Sequence, residues 1–140
     1  MDYIKAAEEL LDIQSALQRL PGNSEISRMA GGEWFVLYYL LTHGGRCFPK
    51  EISGVMMVST ARVAALLNGM EAKRLVSRAP YEPDSRRIVV SLTAEGREQI
   101  ERGRRKTMAM FARVLESIGP EDTLELIRIQ KKLLAGFARE

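Results

Sequence analysis

The sequence predicts a mostly helical protein with one small β-hairpin. Helix-forming residues dominate both ends of the 140-residue chain, and only 6% of its residues are aromatic. Apolar residues recur at helical spacing along most of the chain, whereas the alternation typical of a strand is confined to residues 87–92. An apolar content of 46% can supply a core and argues against disorder. A chain of this length fits one domain, residues 1–140.

Two helices are predicted in the N-terminal third. Residues 2–20 carry an apolar stripe of residues seven apart, which is typical of an amphipathic helix and is ended by a turn over 21–24. The stripe pairs Ile4 with Leu11, Leu10 with Leu17, and Ile13 with Leu20. Gly31-Gly32 precedes a second helix over 33–42, which is apolar nearly all round and is closed by glycines 44 and 45. We expect this second helix to be the core helix.

The next segment has the pattern of a helix-turn-helix. A short helix is predicted over about residues 48–55, with Pro49 suited to its first turn. Residues 56–58 make a turn, and Ser59 is a good N-cap for a longer helix that runs to about Lys73. A short helix, a tight turn and a longer helix with one apolar stripe define the motif. The stripe consists of Val63, Leu66, Leu67 and Met70.

A β-hairpin follows the helix-turn-helix directly. Residues 75–79 are predicted as a strand and residues 80–85 as a loop built from Pro, Glu and Asp. Residues 87–92 form the return strand, in which Ile88, Val90 and Leu92 alternate with the residues between them. Three arginines and one aspartate cluster around this hairpin: Arg78, Asp84, Arg86 and Arg87. A basic hairpin beside a helix-turn-helix is the layout of a winged helix.

Two further helices end the chain. Thr93 is the predicted N-cap of a helix from Ala94 to about Ser117, and Gly119-Pro120 separates it from the last helix. The apolar stripes of the first and last helices are larger than lone surface helices need. We expect residues 2–20 and 107–138 to pack against a second copy in a two-fold dimer, with residues 31–96 as the winged helix-turn-helix. The alternative is a monomer in which both ends fold back.

Charge is unevenly distributed along the chain. Residues 1–40 hold three Lys/Arg and six Asp/Glu, whereas residues 62–106 hold eleven and six, which gives net charges of −3 and +5. A basic middle suits a polyanionic partner, although charge alone also fits an ordinary solvated surface.

The longer helix of the helix-turn-helix has the side chains expected of a DNA-reading helix. Small residues allow deep entry into the major groove, Arg62 can donate two hydrogen bonds to guanine, and Asn68 can pair with adenine or bind phosphate. The candidate contacts are Ser59, Thr60, Ala61, Arg62, Ala65 and Asn68. A plain surface helix with an N-cap is the alternative. In the hairpin, Arg86 suits the minor groove, while the carboxylate of Asp84 is expected to orient an arginine.

The chain resembles the MarR family of bacterial transcription regulators. The resemblance lies in Asp84-x-Arg86 followed by Leu92-Thr93, joined to the upstream stretches 58–63 and 75–78. It implies an operator-binding homodimer with intertwined terminal helices, in which residues 59–62, 65 and 68 face the major groove of double-stranded DNA. It also implies that Arg86 enters the minor groove, that Arg78 and Arg87 lie near the DNA backbone, and that a small aromatic effector releases the DNA.

Two features bear on that resemblance. Trp34 and Tyr38 are candidate effector contacts, with plain core side chains as the alternative. Arg74 stands where the family usually has glycine at the end of the recognition helix, so either arginine adopts a left-handed conformation or the helix ends differently. A winged helix that binds protein, and a helical dimer that binds small molecules without an operator, remain open alternatives.

Other functions are not favoured by the sequence. One cysteine, Cys47, and one histidine, His43, cannot form a four-ligand zinc site. A buried thiol is the expected state of Cys47, with a redox sensor as the alternative. We expect no enzyme activity and no cofactor, because neither a nucleophile elbow nor a glycine-rich phosphate loop is present. The longest apolar run, 34–41, is too short to span a membrane, and a cytoplasmic location is expected.

Overall fold

The computed structural model describes residues 1–20 and 32–139. Within these residues the fold is mostly helical with one small antiparallel sheet, as predicted. The elements in chain order are α1 (Tyr3–Gln18), α2 (Gly32–Thr42), β1 (Arg46–Cys47), α3 (Pro49–Met56), α4 (Thr60–Ala72), β2 (Val76–Tyr81), β3 (Asp84–Leu92), α5 (Ala94–Ile118) and α6 (Pro120–Phe137). The predicted turn over 21–24 and Gly31 lie outside the described residues.

The core lies beneath the helix-turn-helix and the sheet. The predicted core helix is confirmed, since α2 places three of its side chains in the buried cluster. The predicted buried face of α4 is also confirmed, with only Leu66 partly exposed. The cluster contains Val36, Leu37, Leu40, Cys47, Ile52, Val63, Leu67, Met70, Leu75, Val76, Val90 and Ile100.

The sheet has three strands in the order β1-β3-β2, all antiparallel. Strand β1 was not predicted, and it pairs Arg46 with Ser91 and Cys47 with Val90. The predicted loop over 80–85 is wrong, because β2 continues to Tyr81 and β3 begins at Asp84. Pro80 is tolerated inside β2 because β2 is an edge strand, where a missing backbone N–H leaves no ladder bond unmade.

The hairpin loses regular register near its end. Pro80 pairs with Ile88 and Tyr81 pairs with Asp84, so residues 85–87 bulge from the ladder. The alternation predicted for residues 87–92 does not carry over into burial, since Ile88 is 41% exposed while the adjacent Val89 and Val90 are both buried. Ile88 lies toward the tip, beyond the reach of the core. We refer to residues 76–92 as the wing.

Side-chain caps fix the starts of several helices. Ser59 Oγ accepts a hydrogen bond from the Arg62 backbone N–H at 3.1 Å, which confirms the predicted cap of α4. Thr93 Oγ1 accepts from the Gly96 N–H at 2.9 Å, which confirms the predicted cap of α5. These caps satisfy first-turn amides that have no partner within their helix.

By its internal contacts the chain divides into two units, Met1–Gly103 and Arg104–Glu140. In the first unit, α1 has no buried residue. In the second unit, α6 has none either, although Thr123 Oγ1 donates to the backbone oxygens of Leu115 and Gly119. We give the name terminal apolar faces to the following exposed residues, chosen from the apolar stripes of these helices: Ile4, Leu10, Leu11, Ile13 and Leu17 of α1, and Leu126, Ile129, Leu133 and Phe137 of α6.

No single helix among the described residues is long and apolar enough to cross a membrane. Helices α3 and α4 have the length and apolar composition of a membrane span only when taken together, and the pair is bent by 117°.

Candidate nucleic-acid interface

The turn between α3 and α4 presents one face of α4 to solvent. Met57 adopts a left-handed conformation with φ 55°, and the bend between the two helices is 117°. This angle is typical of a helix-turn-helix. We call the exposed residues at the start of α4, and on the side away from its buried stripe, the outward face of α4. It consists of the exposed residues Ser59, Thr60, Ala61, Arg62, Ala65 and Asn68.

Arg86 projects from the wing and is held by Asp84. Arg86 Nε lies 3.0 Å from Asp84 Oδ1, Arg86 Nη2 lies 3.4 Å from Asp84 Oδ2, and the Arg86 backbone N–H donates to Oδ1 at 3.2 Å. These hydrogen bonds lower the pKa of the Asp84 carboxyl below its ordinary value, so the carboxylate stays ionised. The Arg86 side chain is nevertheless 89% exposed. The pair therefore presents an oriented guanidinium to solvent, which is the geometry predicted for Asp84.

Arg78 points toward α4. Arg78 Nε lies 3.2 Å from Glu71 Oε2, and Arg78 Nη2 lies 2.6 Å from Asn68 Oδ1. The hydrogen bond from Arg78 lowers the pKa of Glu71. One lone pair of the Asn68 carbonyl oxygen is therefore already used within the chain, and in a two-bond contact with adenine this oxygen would accept from both Arg78 and the base. The prediction that Arg78 lies near the DNA backbone remains a prediction.

Arg87 faces aromatic rings. Its guanidinium carbon lies 3.6 Å from the centroid of Phe48 and 5.8 Å from that of Tyr81. The two rings meet edge to face, with centroids 5.1 Å apart. Sequence reasoning missed Phe48 and Tyr81, because the unpredicted strand β1 is what brings residue 48 beside the wing.

The comparisons with known proteins establish the family. A family model described as the MarR family matches residues 25–87. The HTH-type transcriptional repressor MdtR of Bacillus subtilis (strain 168) is 32% identical over 139 residues, which cover 93% of this chain and 89% of MdtR. This chain belongs to the MarR family.

Solved structures share the fold of this MarR-family chain. A MarR family protein from Bacillus stearothermophilus matches with a TM-score of 0.77 and 25% identity, over 99% of each chain. A mutant of S. aureus MepR bound to oligodeoxyribonucleotide matches with a TM-score of 0.63 and 19% identity, over 94% of this chain and 97% of that chain. The second likeness concerns the fold alone. The predicted winged helix-turn-helix fold of a transcription regulator is confirmed.

The structure shows how this MarR-family chain accommodates Arg74 in place of the usual glycine at the end of α4. Arg74 adopts the left-handed conformation, with φ 61°, directly after the C-cap residue Lys73. Its backbone N–H donates to the Glu71 carbonyl at 3.0 Å, and the Leu75 N–H donates to the Met70 carbonyl at 3.0 Å. Arginine therefore takes the conformation that glycine adopts at lower cost, and the wing still follows α4 directly.

The candidate effector residues lie in α2. Trp34 is partly buried and packs over Gly103, where an added Cβ would lie 2.5 Å from the indole ring. Tyr38 is exposed. A cavity of about 530 Å³ in the second unit is lined by other residues: Phe111, Leu115, Leu126, Ile127, Gln130, Lys131 and Leu134. An effector role for Trp34 and Tyr38 remains a prediction.

Cys47 lies in the buried core, and His43 packs against Tyr39. The Cys47 side chain belongs to the buried core, and burial, followed by the charge of Glu51, raises its pKa to about 12. This confirms the expected buried thiol and opposes thiolate chemistry at neutral pH. His43 Nδ1 lies 2.8 Å from the Tyr39 carbonyl, and the two rings stack with centroids 3.9 Å apart. Among residues 1–20 and 32–139, no group of three His, Cys, Asp or Glu side chains is arranged to hold a metal ion.

Proposed function

We propose that this chain is a sequence-specific DNA-binding regulator of transcription that binds a pseudo-palindromic operator as a homodimer. The observation that carries the proposal is the pairing of two exposed features in one winged helix. These are the outward face of α4 and the guanidinium of Arg86, which Asp84 orients. Membership of the MarR family supports the same function.

Each feature suits a different part of the duplex. The outward face of α4 combines Ala61 and Ala65 with Arg62, so the helix can approach base edges closely while Arg62 reaches guanine. Ser59 accepts a hydrogen bond at its Oγ and retains a hydroxyl proton for a phosphate. Thr60 and Asn68 supply further polar contacts. Arg86 suits the minor groove, where negative potential attracts arginine.

The terminal apolar faces support a homodimer. They leave large side chains in solvent, among them Leu11, which is 63% exposed, and Phe137, which is 77% exposed. A second copy offers the same faces and would cover them in a two-fold arrangement. Residues 2–20 and 107–138 would then form the dimer interface, and residues 31–96 would bind DNA. The two α4 helices would enter successive major grooves about 34 Å apart.

We propose repression as the regulatory outcome, because MdtR, a relative that covers most of this chain, is named a transcriptional repressor. A small aromatic effector would bind near Trp34 and Tyr38 and shift the population of dimers away from the spacing that fits DNA. The protein would work in the cytoplasm, without enzyme activity and without a cofactor.

Substitution of Arg86 tests the proposal. DNA is first selected from genomic fragments with the unmodified protein, and affinities for selected and mixed-sequence DNA are then measured by fluorescence anisotropy at fixed salt. Arg86→Ala should weaken binding to selected DNA by about ten-fold or more and to mixed-sequence DNA by less. Arg102→Ala is the matched control, since it removes the same charge from an exposed arginine of α5 and should leave the ratio of the two affinities unchanged.

Asp84→Asn provides a second arm of this test. It keeps the size of the side chain but removes the charge that orients Arg86, so it should weaken selected-DNA binding less than Arg86→Ala does. If the unmodified protein binds selected and mixed DNA equally weakly, and Arg86→Ala changes neither affinity, the DNA-binding proposal is wrong. A protein-binding winged helix or a small-molecule-binding dimer would then be favoured.

A further inference from the structure

Two adjacent arginines of the wing have different surroundings. The Arg86 guanidinium is bound by a carboxylate and is 89% exposed, whereas the Arg87 guanidinium carbon lies 3.6 Å over the Phe48 ring. A cation within about 6 Å of a ring centroid is attracted by the negative potential of the ring face. Arg87 meets this condition with Phe48 and also with Tyr81, at 5.8 Å.

We propose that Arg87 is a positioning residue that fastens the wing to the helix-turn-helix through Phe48 and Tyr81, whereas Arg86 is the wing arginine directed at DNA. The expected effect of Arg87 on DNA binding rests on the proposed function, whereas the contacts of Arg87 with the two rings do not. It assigns Arg87, Phe48 and Tyr81 to one unit, which we call the wing clamp.

The three residues of the wing clamp come from three separate elements. Phe48 is the N-cap residue of α3, the first helix of the helix-turn-helix. Tyr81 is the last residue of β2, and Arg87 belongs to the bulge of β3. A contact among them therefore connects the outer part of the wing directly to the start of the motif that carries α4.

The pairing of the strands explains why such a connection is needed. Pairing of β1 with β3 covers only Arg46 and Cys47, and pairing of β2 with β3 loses its register between Pro80 and Tyr81. Residues 85–87 thus lie outside the regular ladder, and Arg86 is one of them. Without ladder pairing, the direction of Arg86 depends on local attachments. Asp84 fixes its side chain, and the wing clamp fixes the backbone on its C-terminal side.

The competing assignment makes Arg87 a phosphate contact, as the family resemblance implies. A phosphate contact predicts that loss of the charge matters and that loss of the Phe48 ring does not. A positioning role predicts that both changes weaken binding and act through one interaction. The two assignments therefore differ in their response to a variant that retains every charge.

The first test needs no DNA. In the NMR spectrum of the 140-residue chain, ring currents should shift the side-chain protons of Arg87 upfield. Phe48→Leu should remove most of this shift, leaving the smaller contribution of the more distant Tyr81 ring, and should speed amide hydrogen exchange in residues 84–88. Phe48→Tyr, the matched control, should keep the shift and the exchange rates of the unmodified protein. Arg87→Gln changes an exposed side chain and should speed the same exchange, which keeps the test decisive if Phe48→Leu fails to fold. Unshifted Arg87 protons and unchanged exchange in both variants would overturn the wing clamp.

The second test uses selected DNA. Phe48→Leu and Arg87→Gln should each weaken binding by about two- to five-fold per wing, as expected for an exposed cation–π contact. The double variant should be no weaker than the weaker single variant, because both changes remove one interaction. The slope of affinity against salt concentration should not change in Phe48→Leu, which keeps all cations.

The assignment to phosphate would be correct if Phe48→Leu bound DNA like the unmodified protein while Arg87→Gln reduced the salt slope by about one. If the protein bound no selected DNA at all, the proposed function would fail, but the NMR and exchange measurements would still decide whether the wing clamp exists.

Discussion

Replacement of Arg74 by glycine should stabilise the protein. Arg74 has φ 61° at the junction of α4 and β2. This left-handed conformation brings Cβ close to the following carbonyl oxygen in any residue with a side chain. A residue with a side chain pays about 1–2 kcal/mol in this conformation. Glycine avoids that cost but loses about 0.5–1 kcal/mol through its greater freedom in the unfolded chain. We therefore expect Arg74→Gly to raise the free energy of unfolding by about 0.5–1 kcal/mol.

Urea unfolding followed by circular dichroism measures this change, at one fixed protein concentration because a dimer's stability depends on concentration. Arg74→Ala is the matched control, since it removes the same side chain but keeps the left-handed cost. Arg74→Gly should have the higher midpoint, with an unchanged dependence on urea, and Arg74→Ala should remain near the unmodified protein. If Arg74→Gly were no more stable than Arg74→Ala, the left-handed conformation of Arg74 would not cost stability, contrary to this prediction.

Three further predictions follow from local geometry. Ser59→Ala should lower the free energy of unfolding by about 1 kcal/mol in urea titrations, because the Arg62 N–H loses its acceptor. Gly96→Ala should destabilise by about 3 kcal/mol or more, since a Cβ would overlap the Leu75 carbonyl, whereas Gly54→Ala meets open space and should not destabilise. Cys47 should resist Ellman's reagent at pH 8 until the protein unfolds, and stability should fall as the pH rises above about 9, because only the unfolded thiol ionises readily.

Features set by neighbouring residues were predictable from the sequence. The caps at Ser59 and Thr93 depend on amides three residues away, and both are confirmed. The pair of Asp84 and Arg86 spans two residues and has the predicted geometry. The helices were likewise predictable, because their apolar periodicity extends over many residues.

Features set by distant residues were not predictable. Strand β1 has only two residues, too few for a periodic pattern, and exists because β3 pairs with it. Pro80 indicated a loop, because proline is accepted inside a strand only at the edge of a sheet. The position of β2 at the edge is set by strand pairing, which the local sequence does not show. The sequence shows three arginines around the hairpin, but it does not show that each has a different partner. Arg86 binds Asp84, and Arg78 binds Asn68 and Glu71 of α4. Arg87 packs over the rings of Phe48 and Tyr81.

The most direct test of the central claim is selection of bound DNA from a random pool, followed by hydroxyl-radical footprinting of the enriched sequence. A two-fold dimer that reads DNA with two α4 helices should enrich an inverted repeat whose half-site centres are separated by about 10 base pairs, with two equivalent protected regions. Failure to enrich any sequence, or a single protected half-site bound by one chain, would contradict the central claim.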